Sequence, residues 1–124
     1  MKPGLVALAV IALGLPIASG AADDPMLKLA KASGCFTCHS IEPGAKGPDG
    51  LAPIGPAWRE VASRYAGVKG ATESLTRTVM TGSNPYASHW KGKVSGLAMP
   101  PNEVVISEAD ARKLVEWILS MNKK

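Results

Sequence analysis

The chain is 124 residues long, 46% hydrophobic and 19% charged, with a formal net charge of +4. That length fits one domain, and the charged fraction is ordinary for a soluble protein. Its lysines and arginines are dispersed rather than gathered in a basic run, so the charge gives no reason to expect a nucleic-acid partner. Only six aromatics (three Trp, two Tyr, one Phe) are available, which limits the core that so small a domain can build from its own side chains.

The first residues differ from the rest. Lys2 gives a positive start, Leu5 to Ile17 is an apolar run broken by Gly14 and Pro16, and Ala18-Ser19-Gly20-Ala21-Ala22 offers small residues to a signal peptidase. The run falls short of the roughly 20 residues needed to cross a bilayer. Residues 1–22 therefore read as a cleaved export signal and 23–124 as the mature domain. An uncleaved N-terminal anchor is the rival reading, and no cysteine follows the run to suggest a lipoprotein.

A first short helix opens where Asp24 can cap and Pro25 can take the first helical position. Met26, Leu29 and Ala30 share a face of it, and Gly34 is a suitable stop. Cys35-Phe36-Thr37-Cys38-His39 follows, then a loop from Ser40 to Gly55 rich in Pro and Gly. Pro56 to Tyr65 reads as a helix with Val61, Ala62 and Tyr65 on one face, and Thr72 to Thr81 as another with Leu75, Val79 and Met80 inward. Ser83 to Asn102 has neither helical nor strand periodicity and contains Pro85, Gly92, Gly96, Pro100 and Pro101. The last helix is the clearest: Ser107 and Asp110 have capping-box spacing, and Ala111, Leu114, Val115, Ile118 and Leu119 form an apolar stripe. Lys123 and Lys124 complement its negative end. No repeat and no strand pattern is visible, so the fold class is all-α.

Two thiols in a Cys-x-x-Cys-His run are the attachment pattern for a c-type haem. Each thiol adds to one haem vinyl group, and the turn between them carries His39 beneath the iron. A buried macrocycle also supplies the apolar centre that the composition lacks. The rival for Cys35 and Cys38 is a redox-active disulfide, which calls for a strand–helix alternation that the sequence does not show. A zinc site would have only Cys35, Cys38, His39 and His89 to draw on, with two of them adjacent.

The iron's sixth position selects among methionine, histidine, an external ligand or none. Met26, Met80 and Met121 fall at helical core spacings, and Met1 leaves with the leader. Met99 alone sits in a non-helical stretch, with Pro100 and Pro101 restricting the backbone behind it. His89, in a polar loop beside Trp90, is the competing ligand. It can instead approach a propionate edge and bring pH dependence near neutrality.

With these residues placed, the chain resembles the small bacterial class I c-type cytochromes, especially the cytochrome c-551/c-552 group. The resemblance rests on Gly34-Cys35-Phe36-Thr37-Cys38-His39, on Gly55-Pro56-Ala57-Trp58-Arg59-Glu60-Val61-Ala62 with Tyr65-Ala66-Gly67, on Met99-Pro100-Pro101-Asn102 and on Leu114-Val115-Glu116-Trp117-Ile118-Leu119. It implies four to five short helices wrapped around one covalent haem c, with His39 and Met99 as axial ligands. It further implies that the Pro56 carbonyl accepts a hydrogen bond from the proximal imidazole, that the Asn102 amide lies near the methionine sulfur, and that Trp90 bonds a propionate. Two departures stand out: the loop is lengthened at Pro43–Ala52, and Thr78 stands where some members place a propionate-binding arginine.

The function implied is periplasmic one-electron transfer by a monomeric shuttle. Redox partners would dock transiently at the haem edge near Cys35 and Cys38, oriented by Lys46, Lys91 or Lys93, with no stable membrane insertion once the leader is cleaved. Two other roles are a dedicated haem subunit held by a periplasmic oxidoreductase, hinted at by the Pro43–Ala52 insert, and a haem enzyme or gas sensor with an open iron. The last requires Met99 to be off the metal.

Overall fold

The computed structural model describes residues 24–122, so the expected leader and Lys123 and Lys124 lie outside the described residues. Four α-helices follow in chain order: α1 Pro25–Ala32, α2 Trp58–Arg64, α3 Ala71–Thr81 and α4 Glu108–Ser120. Short 3₁₀ turns occur at Cys35–Thr37 and Pro48–Gly50. Among the described residues there is no β-strand, only an isolated bridge between Lys91 and Val94, and no helix is long and apolar enough to cross a membrane.

Local chemistry accounts for where the helices begin. Asp24 Oδ1 accepts the Met26 N–H at 2.8 Å and Pro25 fills the first turn, which opens α1. Ser107 Oγ accepts the Asp110 N–H at 3.2 Å and opens α4. Helix α2 begins at Trp58, later than its periodicity predicts, because Ala57 stays extended (φ −63°, ψ 142°) as the cap residue. With no capping side chain of its own, Ala57 donates its N–H to the Glu60 carboxylate at 3.3 Å.

Helix α4 organises the packing, lying against α1, α2 and α3. Its predicted stripe is the buried face: Ala111, Leu114, Val115 and Ile118 are buried and Leu119 half-buried. Each of the larger side chains contributes about 1.5–3 kcal/mol through this burial. Trp58 meets Trp117 edge-on, with ring centroids 5.7 Å apart and planes at 80°. Trp117 Nε1 in turn donates to Asp24 Oδ2 at 3.1 Å, so one carboxylate caps α1 and fastens it to α4.

Helix α3 turns its expected face inward: Leu75, Val79 and Met80 are half-buried and pack against the core, beside buried Ala71 and Thr76. Thr78 and Thr81 return their hydroxyls to the carbonyls of Ser74 and Arg77 at 3.1 and 2.9 Å, but buried Thr76 Oγ1 has no partner. An orphaned buried hydroxyl costs about 1–3 kcal/mol. Thr76→Val keeps the shape and removes that cost, so the urea midpoint of the haem-loaded protein is expected to rise by the equivalent of about 1 kcal/mol. A fall of similar size would place an unseen partner on the hydroxyl.

Candidate haem site

The turn after α1 places both thiols. Thr37, Cys38 and His39 donate their N–H groups to Gly34 O, Cys35 O and Cys35 O at 3.1, 3.2 and 3.0 Å, winding the motif into a single 3₁₀ turn. Cys35 and Cys38 are free thiols, both half-buried. Burial pushes the Cys35 thiol up from its ordinary value and the neighbouring Cys38 adds to this, against a lowering by its own backbone N–H. The thiol is thus held in its protonated form.

His39 Nδ1 lies 2.7 Å from the carbonyl oxygen of Pro56. A carbonyl only accepts, so Nδ1 carries the proton and Nε2 keeps its lone pair. No hydrogen bond among the described residues engages Nε2. Burial lowers the His39 pKa, and the Pro56 bond opposes this only in part. The imidazole is therefore neutral, oriented and available as a donor.

The backbone builds that orientation. Gly55 N–H donates to Cys38 O at 2.8 Å, Trp58 N–H to Ser40 O at 2.9 Å and Arg59 N–H to Ile41 O at 3.1 Å, lashing residues 55–59 beside 38–41. A Cβ on Gly55 would come within 2.8 Å of His39 Cε1 and 3.0 Å of Nδ1, so the close approach requires glycine. Trp58, only 3% exposed, lies near-parallel to the imidazole at 6.0 Å and 26°, with Phe36 5.0 Å away.

Met99 is held on other elements. Ser83 forms a reciprocal pair with it, Ser83 N–H to Met99 O at 2.9 Å and Met99 N–H to Ser83 Oγ at 2.8 Å. Gly82, at φ +84°, ends α3 where a Cβ would sit 3.0 Å from Met99 O. The Asn102 side-chain amide donates to Val79 O at 3.2 Å and Pro100 O at 2.7 Å, and its N–H to Val79 O at 3.0 Å. These bonds clamp the Met99-Pro100-Pro101 turn onto the end of α3. Ser95 and Gly96 donate their N–H groups to Pro53 O and Ile54 O at 2.9 and 3.0 Å, joining the methionine segment to the chain just ahead of Pro56.

Trp90 is half-buried against the core, and its indole N–H has no partner among the described residues. His89 lies 5.2 Å from the Trp90 ring, and its Nε2 is 3.3 Å from the Tyr65 hydroxyl. Thr78 spends its hydroxyl on Ser74. Within the insert, Gly47 N–H donates to Leu51 O at 3.0 Å and Leu51 N–H to Pro48 O at 3.1 Å, closing a small loop. The sequence did not point to Trp58, Ser83 or the packing role of Gly55. For Gly55, its place just before the proline facing the imidazole is the one signal that was available.

These residues fit a covalently attached haem. The most completely buried residues are alanines, Ala30, Ala62 and Ala111 at 0–1% exposure, while apolar Phe36 and Leu97 are 39% and 85% exposed. Two free thiols, a neutral histidine with an unengaged nitrogen and a clamped methionine supply the donors that a haem c requires.

A sequence-family model described as Cytochrome c matches residues 27–122. Cytochrome c-551 of Pseudomonas aeruginosa is 36% identical over 121 residues, covering 97% of this chain and 98% of its own. Cytochrome c-552 of Hydrogenobacter thermophilus is 35% identical over 94 residues, 76% of this chain and 79% of its own. Among solved structures, Nitrosomonas europaea cytochrome c552 superimposes with a TM-score of 0.60 at 32% identity, over 77% of this chain and 99% of that one.

Two measurements check the site. Gly55→Ala pushes the imidazole off the Pro56 carbonyl and is expected to cost about 1–3 kcal/mol, read as a lower urea midpoint. The second concerns His89, whose pKa is lowered from 6.5 by partial burial first and then by the charges of Arg64 and Lys93. Its neutral form is the favoured one, and stability falls slightly as pH drops through the folded pKa. NMR titration is expected to place that midpoint below 6.5, moving upward in Arg64→Gln and in Lys93→Gln.

Proposed function

The chain belongs to the cytochrome c family, and we propose that it serves as a periplasmic one-electron carrier. Its role is electron transfer rather than enzymatic turnover, and its cofactor is one covalently attached haem c. Haem, when bound, supplies an iron centre that gains and loses a single electron.

Cys35 and Cys38 provide the two sulfurs of the thioether links. His39 offers Nε2 as proximal donor, its ring fixed through Nδ1 by the Pro56 carbonyl. Met99 would hold the iron with its sulfur as the second donor, from a backbone pinned at both its N–H and its carbonyl by Ser83. Asn102 holds the turn behind that methionine. The Trp90 indole N–H is available for a propionate. With His39 and Met99 both holding it, the iron would have no open position for a substrate.

In this reading residues 1–22 direct export and are removed, and the domain 23–124 acts as a monomer. Partners dock transiently at the face carrying Cys35, Cys38 and partly exposed Phe36, with exposed Lys46, Lys91 and Lys93 around it. The alternative of a dedicated enzyme subunit rested on the Pro43–Ala52 insert and gains nothing from relatives named as cytochromes c-551 and c-552.

The observation that carries the proposal is the His39–Pro56 bond within a Cys-x-x-Cys-His turn. Its test is carbon monoxide binding to the ferrous protein at neutral pH. The native protein is expected to resist it and Met99→Ala to bind it readily, with loss of the weak far-red sulfur–iron band of the ferric form. Ready binding by the native protein would overturn the ligation.

A further inference from the structure

Tyr65 closes α2, half-buried against the core, and its hydroxyl lies 3.3 Å from His89 Nε2. The two rings are 5.7 Å apart, and His89 in turn lies 5.2 Å from Trp90. Tyr65 and Trp90 both pack against the buried cluster that contains Trp58, whose ring lies near-parallel to His39. Aromatic rings thus connect exposed His89 with the core beside the haem site. The other tyrosine is placed differently. Tyr86 is 93% exposed, and no hydrogen bond among the described residues engages its hydroxyl.

A phenol is the better donor of the pair and a neutral imidazole the better acceptor, so Tyr65 donates to Nε2. Losing an electron turns a phenol into a very strong acid, so its oxidation is easy only where a base already holds the hydroxyl. We propose that Tyr65 and His89 form a proton-coupled redox pair that discharges strong one-electron oxidants, a second redox activity beside that of the haem. The oxidant takes one electron from the Tyr65 phenol, the O–H bond breaks and the proton passes to His89 Nε2. The products are the reduced oxidant, a neutral phenoxyl radical at Tyr65 and an imidazolium at His89. An electron from the ferrous haem then restores the phenol as His89 gives the proton back, a step that rests on the electron-carrier reading. The net change is one oxidant reduced by one electron and one haem taken from ferrous to ferric. No base among the described residues accepts from the Trp90 indole N–H, so that ring relays the electron without holding a radical of its own.

The pair works only while His89 is neutral. The groups facing it are Arg64 and the Tyr65 hydroxyl at the end of α2, with Lys93 and the Trp90 ring from the loop. Burial first, and then the Arg64 and Lys93 charges, lower the His89 pKa, so the base is free at neutral pH. Oxidation of Tyr65 therefore slows as pH falls through the folded His89 midpoint.

The test uses the haem-loaded ferric protein with photogenerated tris(bipyridine)ruthenium(III) as oxidant, read by freeze-quench electron paramagnetic resonance. The native protein and Tyr86→Phe are expected to give a tyrosyl signal, and Tyr65→Phe to lose most of it. A signal that survives in Tyr65→Phe, or vanishes in Tyr86→Phe, overturns the proposal. His89→Gln keeps a hydrogen-bond acceptor but no base, and is expected to slow radical formation about a hundredfold. The rate falls below the His89 midpoint in the native protein and is flat with pH in that variant. An unchanged rate in His89→Gln, or the same pH profile in both, identifies a structural bond and rejects the pair. In the ferrous protein the signal is expected to decay faster than in the ferric form, and equal lifetimes reject the return of the electron from the haem. A reversible one-electron voltammetric wave checks the carrier reading by itself. Its absence sinks that reading and leaves the ferric-protein result in force.

Discussion

The contact on which the site depends is the bond from His39 Nδ1 to the Pro56 carbonyl. It selects the tautomer, aims the ring and leaves Nε2 as the donor, three consequences of one 2.7 Å interaction. It also constrains the backbone on both sides. Pro56 can present its carbonyl only if Gly55 has no side chain, and Gly55 is held in place by its own N–H bond to Cys38. The Cys-x-x-Cys-His turn and the chain opposite it are therefore joined as a unit, with the ladder continuing through Ser40–Trp58 and Ile41–Arg59.

Trp58 carries this unit into the helical core. Its ring touches Phe36 and His39 on the motif and Trp117 on α4, and Trp117 reaches Asp24 at the start of α1. A chain with six aromatics has committed three of them to one connected path from the imidazole to both terminal helices. Buried alanines elsewhere let the helices approach closely without filling the centre. The apolar bulk that stabilises larger domains is here divided between that aromatic path and the cofactor.

Much of this was legible before any coordinates. The helices announced themselves through caps and stripes: Asp24 with Pro25, Ser107 with Asp110, and the buried face of α4. The Cys-x-x-Cys-His run carried its chemistry in its spacing. What stayed hidden is mostly long-range backbone pairing, which leaves no pattern in side-chain periodicity. The Ser83–Met99 exchange and the Pro53–Ser95 and Ile54–Gly96 bonds join residues far apart in sequence. The inner face of α3 is legible by contrast, since Leu75, Val79 and Met80 pack against the core as their spacing predicts, while the burial of polar Thr76 beside them carries no such signal.

The irregular stretch 83–102 is tethered at several points, though it has no periodicity. Its two ends are tied to α3, by Ser83 beyond Gly82 and by Asn102 to Val79, and its middle is tied to 53–54. A loop closed at its ends and braced in the middle holds a methionine at fixed depth without needing helical geometry around it. Helical hydrogen bonding would have aligned the carbonyls of 98–101 along an axis. Instead the Met99 carbonyl is available to Ser83 and the Pro100 carbonyl to Asn102, and the prolines, lacking N–H groups, add no donor that must be satisfied. The two prolines after Met99 thus solve an accounting problem as well as a steric one. They let the chain turn sharply while the Met99 N–H and carbonyl and the Pro100 carbonyl all keep partners.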